Sequence, residues 1–235
     1  MKQTGSDIKA IVTDIEGTTT SISFVADVLF PYARARIQDF VMQHQNDPAV
    51  ASEINAVRTK AAETDASPER VGQILVDWID RDLKITSLKT LQGMIWRAGY
   101  EDGSLTGHLY SEVADVMRDW KKQGLSLNVY SSGSEAAQKL LFGYSEAGDL
   151  TSLFDHFFDT RIGSKREASA YEYIKNILQL EGAEILFLSD VVAELDAAHQ
   201  TGLKTMALDR ECIGEGFGSH PHVTDFKQID LTHIA

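Results

Sequence analysis

The sequence predicts an α/β fold: a parallel, doubly wound sheet with a helical domain inserted after the first strand. Three observations predict it. From residue 108 onward, short apolar runs alternate with segments of helical periodicity. Before that, roughly eighty consecutive residues carry helix signals and no strand pattern. Several of the apolar runs end abruptly in acids or hydroxyls, namely Asp14 and Glu16, Ser131 and Ser132, and Asp190.

Residues 8–13 form a β-branched apolar run that suits a strand buried on both faces. Asp14-Ile15-Glu16-Gly17-Thr18-Thr19-Thr20 cannot continue it and belongs where a parallel strand ends. Residues 24–46 place Phe24, Val25, Val28, Leu29, Tyr32, Ile37, Phe40 and Val41 at helical spacing, with Pro31 expected to kink or break the helix. Asp47-Pro48 and Ser67-Pro68-Glu69 each read as an N-cap followed by a first helical residue. Ser87 is expected to cap a further helix over 88–98, and Glu101-Asp102-Gly103-Ser104 is a break. A crossover between parallel strands needs only a dozen or so residues, so this segment is an insertion, a small helical bundle placed over the sheet. Beyond it, 108–123 reads as a helix stopped by Gly124. Strands follow at 125–130, 154–159, 184–189 and 203–208, with helices at 135–144, 167–180 and 194–201 between them. A last short strand is expected at 223–226. The sheet domain is expected at 1–20 with 105–235, and the helical domain at 21–104.

With 235 residues, 43% hydrophobic and 24% charged, the chain should bury about 70–75% of its unfolded surface and need no staple. The single Cys212 cannot form an internal disulfide. Neither residues 1–10 nor any later run has the apolar length of a leader or of a membrane span. A cytoplasmic protein is the expectation. The net charge of −13 argues against a nucleic-acid partner, which needs a basic face. It permits a small phosphorylated substrate, because one lysine and a divalent metal reverse the sign inside a single pocket.

The carboxyl ends of parallel strands lie along one edge, so Asp14, Ser131, Ser132 and Asp190 should converge. Asp-x-Glu at a strand end offers one carboxylate as nucleophile and another as proton carrier. Asp14 with a nearby backbone oxygen is also a hard donor set that suits Mg²⁺. Gly17 permits a positive φ, which turns neighbouring N–H groups toward an anion. The same residues also read as an ordinary acidic turn. Ser131-Ser132-Gly133 offers hydroxyls and helix-start N–H groups to an anion, or simply an N-cap. Asp190 at the end of a buried strand is costly unless paired or metal-bound, and beside Asp14 it asks for a cation between the two. Of the acids that follow, one of Glu194 and Asp196 is placed to support the ligands from behind; a solvated helix face suits Asp196. Lys165 stands just before a helix, where it works against the dipole. Cancelling phosphate charge and fixing Asp14 would explain it; a plain solvated lysine is the alternative.

This order of residues resembles the haloacid dehalogenase superfamily of phosphotransferases, and more closely its enolase-phosphatases of methionine salvage. The resemblance is carried by Asp14-Ile15-Glu16-Gly17-Thr18-Thr19, Phe24-Val25, Leu29-Phe30-Pro31-Tyr32, Leu91-Gln92-Gly93 with Trp96-Arg97, Tyr130-Ser131-Ser132-Gly133-Ser134, Gln138-Lys139-Leu140-Leu141-Phe142-Gly143 and Phe158-Asp159-Thr160. It spans almost the whole chain. It implies a Rossmann-like core with a helical cap, one Mg²⁺ per chain and a monomer. The implied reaction enolises 2,3-diketo-5-methylthiopentyl-1-phosphate and then dephosphorylates it to the acireductone 1,2-dihydroxy-3-keto-5-methylthiopentene. By position, it implies Asp14 as the nucleophile, forming an aspartyl phosphate, and Glu16 in proton transfer. Asp14, Asp190 and Glu16, the last through its backbone oxygen, would hold Mg²⁺. Ser131, Ser132 and Lys165 would bind the phosphate-bearing substrate. Most phosphatases of the superfamily have Asp at the position of Glu16, whereas the enolase-phosphatases share the Glu. Lys89, Gln92 and Trp96 are the first residues to search for contacts to the methylthio end, helix packing being the plainer reading of Trp96. The alternatives are a capped phosphatase or phosphomutase acting on another small phosphate, a catalytically silent binding module, and a metal-free dehalogenase.

Overall fold

The computed structural model describes residues 8–234, so the expectation that residues 1–10 carry no leader falls mostly outside the described residues. The chain divides into two units, Met1–Ile22 with Gly107–Ala235, and Ser23–Thr106.

In the sheet unit, β1 (Ala10–Thr13) has every residue buried, as its β-branched run requires of a central strand. After the helical unit, α6 (Val113–Lys122) leads to β2 (Ser126–Tyr130), α7 (Glu135–Gly143), β3 (His156–Phe158) and α8 (Ala168–Leu178). These are followed by β4 (Ile185–Ser189), α9 (Val192–His199), β5 (Lys204–Leu208) and β6 (His222–Val223). The strand order is β3-β2-β1-β4-β5-β6, and every pairing is parallel. Thr13 sits in register with Val129 on one side and Leu188 on the other. The chain builds outward from β1 to β3, then returns to β4 on the opposite side. The reversal between β1 and β4 is where an open α/β sheet leaves a crevice at its carboxyl edge. Behind that edge, Val12, Tyr130, Tyr171, Phe187 and Leu195 pack in one core.

Two expectations need correction here. The helix expected over 108–123 begins only at Val113. Ahead of it, the Tyr110 N–H donates to Thr19 O at 3.0 Å, and His108 Nδ1 is 2.8 Å from Thr20 Oγ1. These contacts tie the segment to the turn after β1, and a helix would redirect the backbone group. The last strand pairs only over His222–Val223. Phe226 instead opens a 3₁₀ turn capped by the Asp225 side chain, and its ring stacks on Trp120 at 5.4 Å.

In the helical unit, α1 (Ile22–Phe24) runs through a π-turn at Val25–Leu29 into α2 (Phe30–His44). Pro31 does not break the helix, which runs on continuously through a local π distortion. It lies in the first turn of α2, and the wider turn before it, where the Phe30 N–H reaches back to Val25 O, accommodates the proline. Asp47 and Ser67 cap α3 (Pro48–Ala61) and α4 (Pro68–Asp80), accepting from Ala49 N–H and Arg70 N–H. Ser87 does not cap α5 (Thr86–Glu101). The helix starts earlier, after Ile85, which leaves Ser87 buried in its first turn. Ile37, Val41, Ile54, Leu75, Leu91 and Ile95 form the shared core of α2 to α5. Trp96 Nε1 donates to Leu29 O at 2.8 Å and its ring meets Phe30 edge-on, so its packing role is plain. Among the described residues no helix is long and apolar enough to cross a membrane.

Candidate active site

Asp14 is the first residue past β1. Its N–H donates to Leu188 O at 2.8 Å, so the hydrogen-bond ladder to β4 continues one step beyond the strand. The turn that follows closes on itself: Thr19 N–H and Thr20 N–H both donate to Ile15 O at 2.9 Å, and Gly17 N–H donates to Thr20 O at 2.8 Å. Gly17 has φ +72°, and a Cβ there would run into the Asp190 carboxylate. Only glycine meets both demands. This contact places the turn after β1 directly against the residue that follows β4. Glu16 is half-buried in the same turn.

The Asp14 carboxylate is buried, and its Oδ1 accepts from Ile15 N–H at 2.7 Å and from Lys165 Nζ at 2.6 Å. Lys165 Nζ is also 2.6 Å from Glu194 Oε2, and the lysine side chain is only 7% exposed, which removes the solvated-lysine alternative. Glu194 is fixed in turn by Ser189 Oγ at 3.0 Å. The loop carrying Lys165 is held by two buried tyrosines. Tyr130 Oη donates to Gly163 O at 3.0 Å, and Tyr171 Oη donates to Lys165 O at 2.8 Å. The lysine thus lies between two carboxylates, one from each side of the β1/β4 reversal.

Burial alone would pull the Lys165 ammonium down, but the charges of Asp14 and Glu194 outweigh it and hold the group above its ordinary value. Burial, and then the Asp14 charge, raises Glu194 against the opposing pull of Lys165 and Ser189. Burial and the Asp14 charge also push Asp190 up to about 6, against a backbone hydrogen bond and Lys165. Three carboxylates, Asp14, Asp190 and Glu194, therefore face one ammonium. Asp190 Oδ1 is buried without a hydrogen-bond partner. An orphaned carboxylate oxygen beside an uncompensated negative charge is the signature of a cation site. Hard oxygen donors suit Mg²⁺. Among the described residues no group of three His, Cys, Asp or Glu side chains forms a metal cluster. A set built from Asp14, Asp190 and the Glu16 backbone oxygen needs only two such side chains, so the residues present fit the ion.

At the end of β2, Ser131 is buried and its Oγ accepts from Gly133 N–H at 3.1 Å, while Ser132 is exposed. The serine that caps α7 is Ser134, whose Oγ accepts from Ala137 N–H at 3.3 Å. Ser131 and Ser132 are thereby relieved of the capping role that their sequence position also allowed. Gln138 reaches back from α7, donating to Gly133 O at 2.9 Å and to Phe158 O at 2.7 Å.

Asp14, Lys165 and Asp190 are thus brought together, and Glu194 joins them as the lysine's second partner. Asp196 stands apart, 60% exposed and 3.0 Å from His220 Nε2. Sequence reasoning names Tyr130 and Gln138 only as motif residues without a role, and gives no role to Tyr171 or to the buried pair of Arg210 with Glu112. The only signal for Arg210 is that it closely follows the carboxyl end of β5. A cavity of about 500 Å³ opens elsewhere, along the edge strand between His156, Arg161 and Tyr173, and includes none of these residues.

The sequence model of the haloacid dehalogenase-like hydrolase family matches residues 8–202. Enolase-phosphatase E1 of Pseudomonas aeruginosa is 54% identical over 222 residues, covering 94% of this chain and 98% of the relative. Enolase-phosphatase E1 of Pectobacterium atrosepticum is 52% identical over 228 residues, covering 97% of this chain and 99% of its own. Among solved structures, the UTR4 protein of Saccharomyces cerevisiae superposes with a TM-score of 0.79 at 31% identity, covering 94% of this chain and all of that one (100%).

Proposed function

The chain belongs to the enolase-phosphatase family of the haloacid dehalogenase-like hydrolases, and from that premise we propose which residues carry out its phosphoric monoester hydrolysis and on what substrate. The substrate is 2,3-diketo-5-methylthiopentyl-1-phosphate, enolised and then dephosphorylated to the acireductone of methionine salvage. We read the protein as cytoplasmic, which its single cysteine supports, and as a monomer on the strength of the family resemblance alone.

Asp14 is the nucleophile. Its Oδ1 is engaged by Ile15 N–H and Lys165, which leaves Oδ2 to form the bond to phosphorus as the bond from phosphorus to the substrate oxygen breaks. A water molecule then attacks the aspartyl phosphate and restores the carboxylate. Splitting the displacement in this way avoids one difficult direct step. An ammonium has three donors. Lys165 directs two at Asp14 and Glu194, and the third faces the phosphate oxygens. Glu194 keeps the lysine charged and aimed. Ser131 and Ser132, at the end of β2, supply hydroxyl and backbone donors to the same phosphate. Glu16 carries the proton to the leaving oxygen and serves as the candidate acceptor in enolisation.

Asp14, Asp190 and the Glu16 backbone oxygen would hold Mg²⁺. When bound, the ion supplies charge that offsets the carboxylates and polarises substrate oxygens. Uncatalysed phosphate-monoester hydrolysis is slow enough that enzymes supply up to ~10²¹ in rate. Positioning contributes about 7–11 kcal/mol of the barrier, so fixed charge must provide much of the rest.

The observation that carries this reading is Lys165 Nζ at 2.6 Å from both Asp14 and Glu194 in a buried site. The test is stopped-flow absorbance with the diketo phosphate and Mg²⁺. An enol intermediate should rise before phosphate appears, and Asp14→Asn should release none. Phosphate release at near-normal rate from Asp14→Asn would remove Asp14 as nucleophile.

A further inference from the structure

We propose that Arg210 is a positioning residue for the nucleophile, holding the turn from Asp14 to Thr20 in place through the Thr18 carbonyl. The inference rests on Asp14 being the attacking group. Arg210 lies just past β5, on the same carboxyl edge as the site, and its side chain is only 7% exposed. Its Nε and Nη2 both donate to Thr18 O, at 3.0 and 2.6 Å. Its Nη1 donates to Glu112 Oε1 at 2.6 Å and to Thr224 O at 3.2 Å. The guanidinium lies 4.0 Å from the Tyr110 ring centre and 5.2 Å from that of Phe226. Glu112 is anchored as well, accepting from Phe226 N–H at 3.4 Å.

A buried arginine–glutamate pair is weak evidence for stability, since apolar residues of similar volume often serve as well. What this pair has, and an apolar replacement lacks, is a planar fork aimed at one carbonyl. That carbonyl matters because of where it sits. Within the turn, Ile15 O and Thr20 O accept the internal hydrogen bonds. Thr18 is fully buried, and Arg210 supplies the donors to its carbonyl. The residue before it, Gly17, is the one in close approach to Asp190. Any shift of Thr18 is therefore passed to the spacing between Asp14 and Asp190. A displacement of about 1 Å at a reacting group can cost about a hundredfold in rate.

The test uses the full chain with Mg²⁺, comparing the parent with Arg210→Lys and Arg210→Ala. The readouts are kcat and KM for phosphate release per folded molecule, amide hydrogen exchange at residues 15–20 without substrate, and rescue by added ethylguanidinium. We expect kcat to fall about ten- to hundredfold with KM within about threefold, and exchange at 15–20 to quicken in both variants. Ethylguanidinium should restore about tenfold in Arg210→Ala and nothing in Arg210→Lys, whose side chain fills the space. A kcat within about threefold of the parent in Arg210→Lys, or unchanged exchange at 15–20, overturns the proposal even if Arg210→Ala fails to fold. Near-normal phosphate release by Asp14→Asn refutes the Asp14 assignment instead, and the exchange measurement, which needs no turnover, still reads the hold of Arg210 on the turn.

Discussion

Asp190→Asn should make the metal-free protein more stable at neutral pH while abolishing its response to Mg²⁺. The carboxyl of Asp190 is pushed from 3.8 up to about 6, first by burial and then by the Asp14 charge. A shift of about two units corresponds to roughly 3 kcal/mol. The group keeps some contact with solvent, so screening reduces the figure to about 1–2 kcal/mol. The sign follows from linkage. A carboxyl whose value is raised on folding costs nothing below its unfolded value, costs progressively more between about pH 4 and 6, and carries the full penalty above that. The amide carries no charge and escapes the penalty. In EDTA at pH 7.5, Asp190→Asn should therefore gain about 1–2 kcal/mol, or roughly 2–8 °C in thermal midpoint. The gain should halve by about pH 5 and nearly vanish by about pH 4. Mg²⁺ should invert the order, because a ligand at a hundred times its dissociation constant adds about 2.7 kcal/mol to the chain that binds it. Differential scanning fluorimetry across pH, with EDTA and with Mg²⁺, reads both effects. A variant less stable than the parent in EDTA at pH 7.5, or one that still responds to Mg²⁺ as the parent does, would refute the reasoning.

Lys165→Ala leaves Asp14 and Glu194 facing one another without their shared cation. Phosphate release should drop at least about a hundredfold, and stability by about 3–5 kcal/mol in urea titration; a loss below threefold in rate would remove the lysine from the chemistry. Gly17→Ala forces a methyl group against the Asp190 carboxylate in a backbone conformation that alanine disfavours. It should cost about 1–3 kcal/mol and weaken Mg²⁺ binding by isothermal titration calorimetry; unaltered Mg²⁺ affinity would contradict the contact. Tyr171→Phe deletes a buried hydrogen bond to Lys165 O and should lower stability by about 1 kcal/mol and kcat about three- to tenfold. An unchanged kcat would mean that the lysine loop holds itself.

The site was legible in the sequence where it interrupts a pattern. Asp14 and Asp190 each end an apolar run that a carboxylate cannot continue, and Lys165 stands where a helix start disfavours a cation. Such breaks are local, so reading them needs no fold. Ser131 and Ser134 are a different matter. Four small polar residues in succession can each cap a helix, and only the position of α7 shows that Ser134 does so. Correctly spaced apolar neighbours give His108 and Leu109 a helical pattern in the sequence. Leu109 is indeed buried, but in a segment whose polar groups serve the turn after β1. Arg210 was beyond reach for a plainer reason. Its partner carbonyl, that of Thr18 in the motif after β1, lies 192 residues earlier in the chain, and Arg210 itself belongs to no periodic pattern or motif.

Four of the residues to which the sequence assigned no role, Tyr130, Tyr171, Gln138 and Arg210, share one feature, and it bears on how the site survives its own charge. Tyr130 donates to Gly163 O, Tyr171 to Lys165 O, Gln138 to Gly133 O and Arg210 to Thr18 O. Each is a buried side chain that grips a backbone carbonyl in one of the loops at the carboxyl edge. Three carboxylates against one ammonium repel, and repulsion between loops would open the edge before any substrate arrived. Hydrogen bonds from the side chains proposed to react could not prevent this, because under that proposal they keep donors and lone pairs for the phosphate. The loop carbonyls that these four side chains grip are assigned no such duty. Tyr130 and Tyr171 can be rigid because their rings are fully buried in the core behind the sheet edge. The apolar core thus restrains the charged edge through backbone groups that take no part in the reaction, and the chemistry is left with its polar atoms unspent.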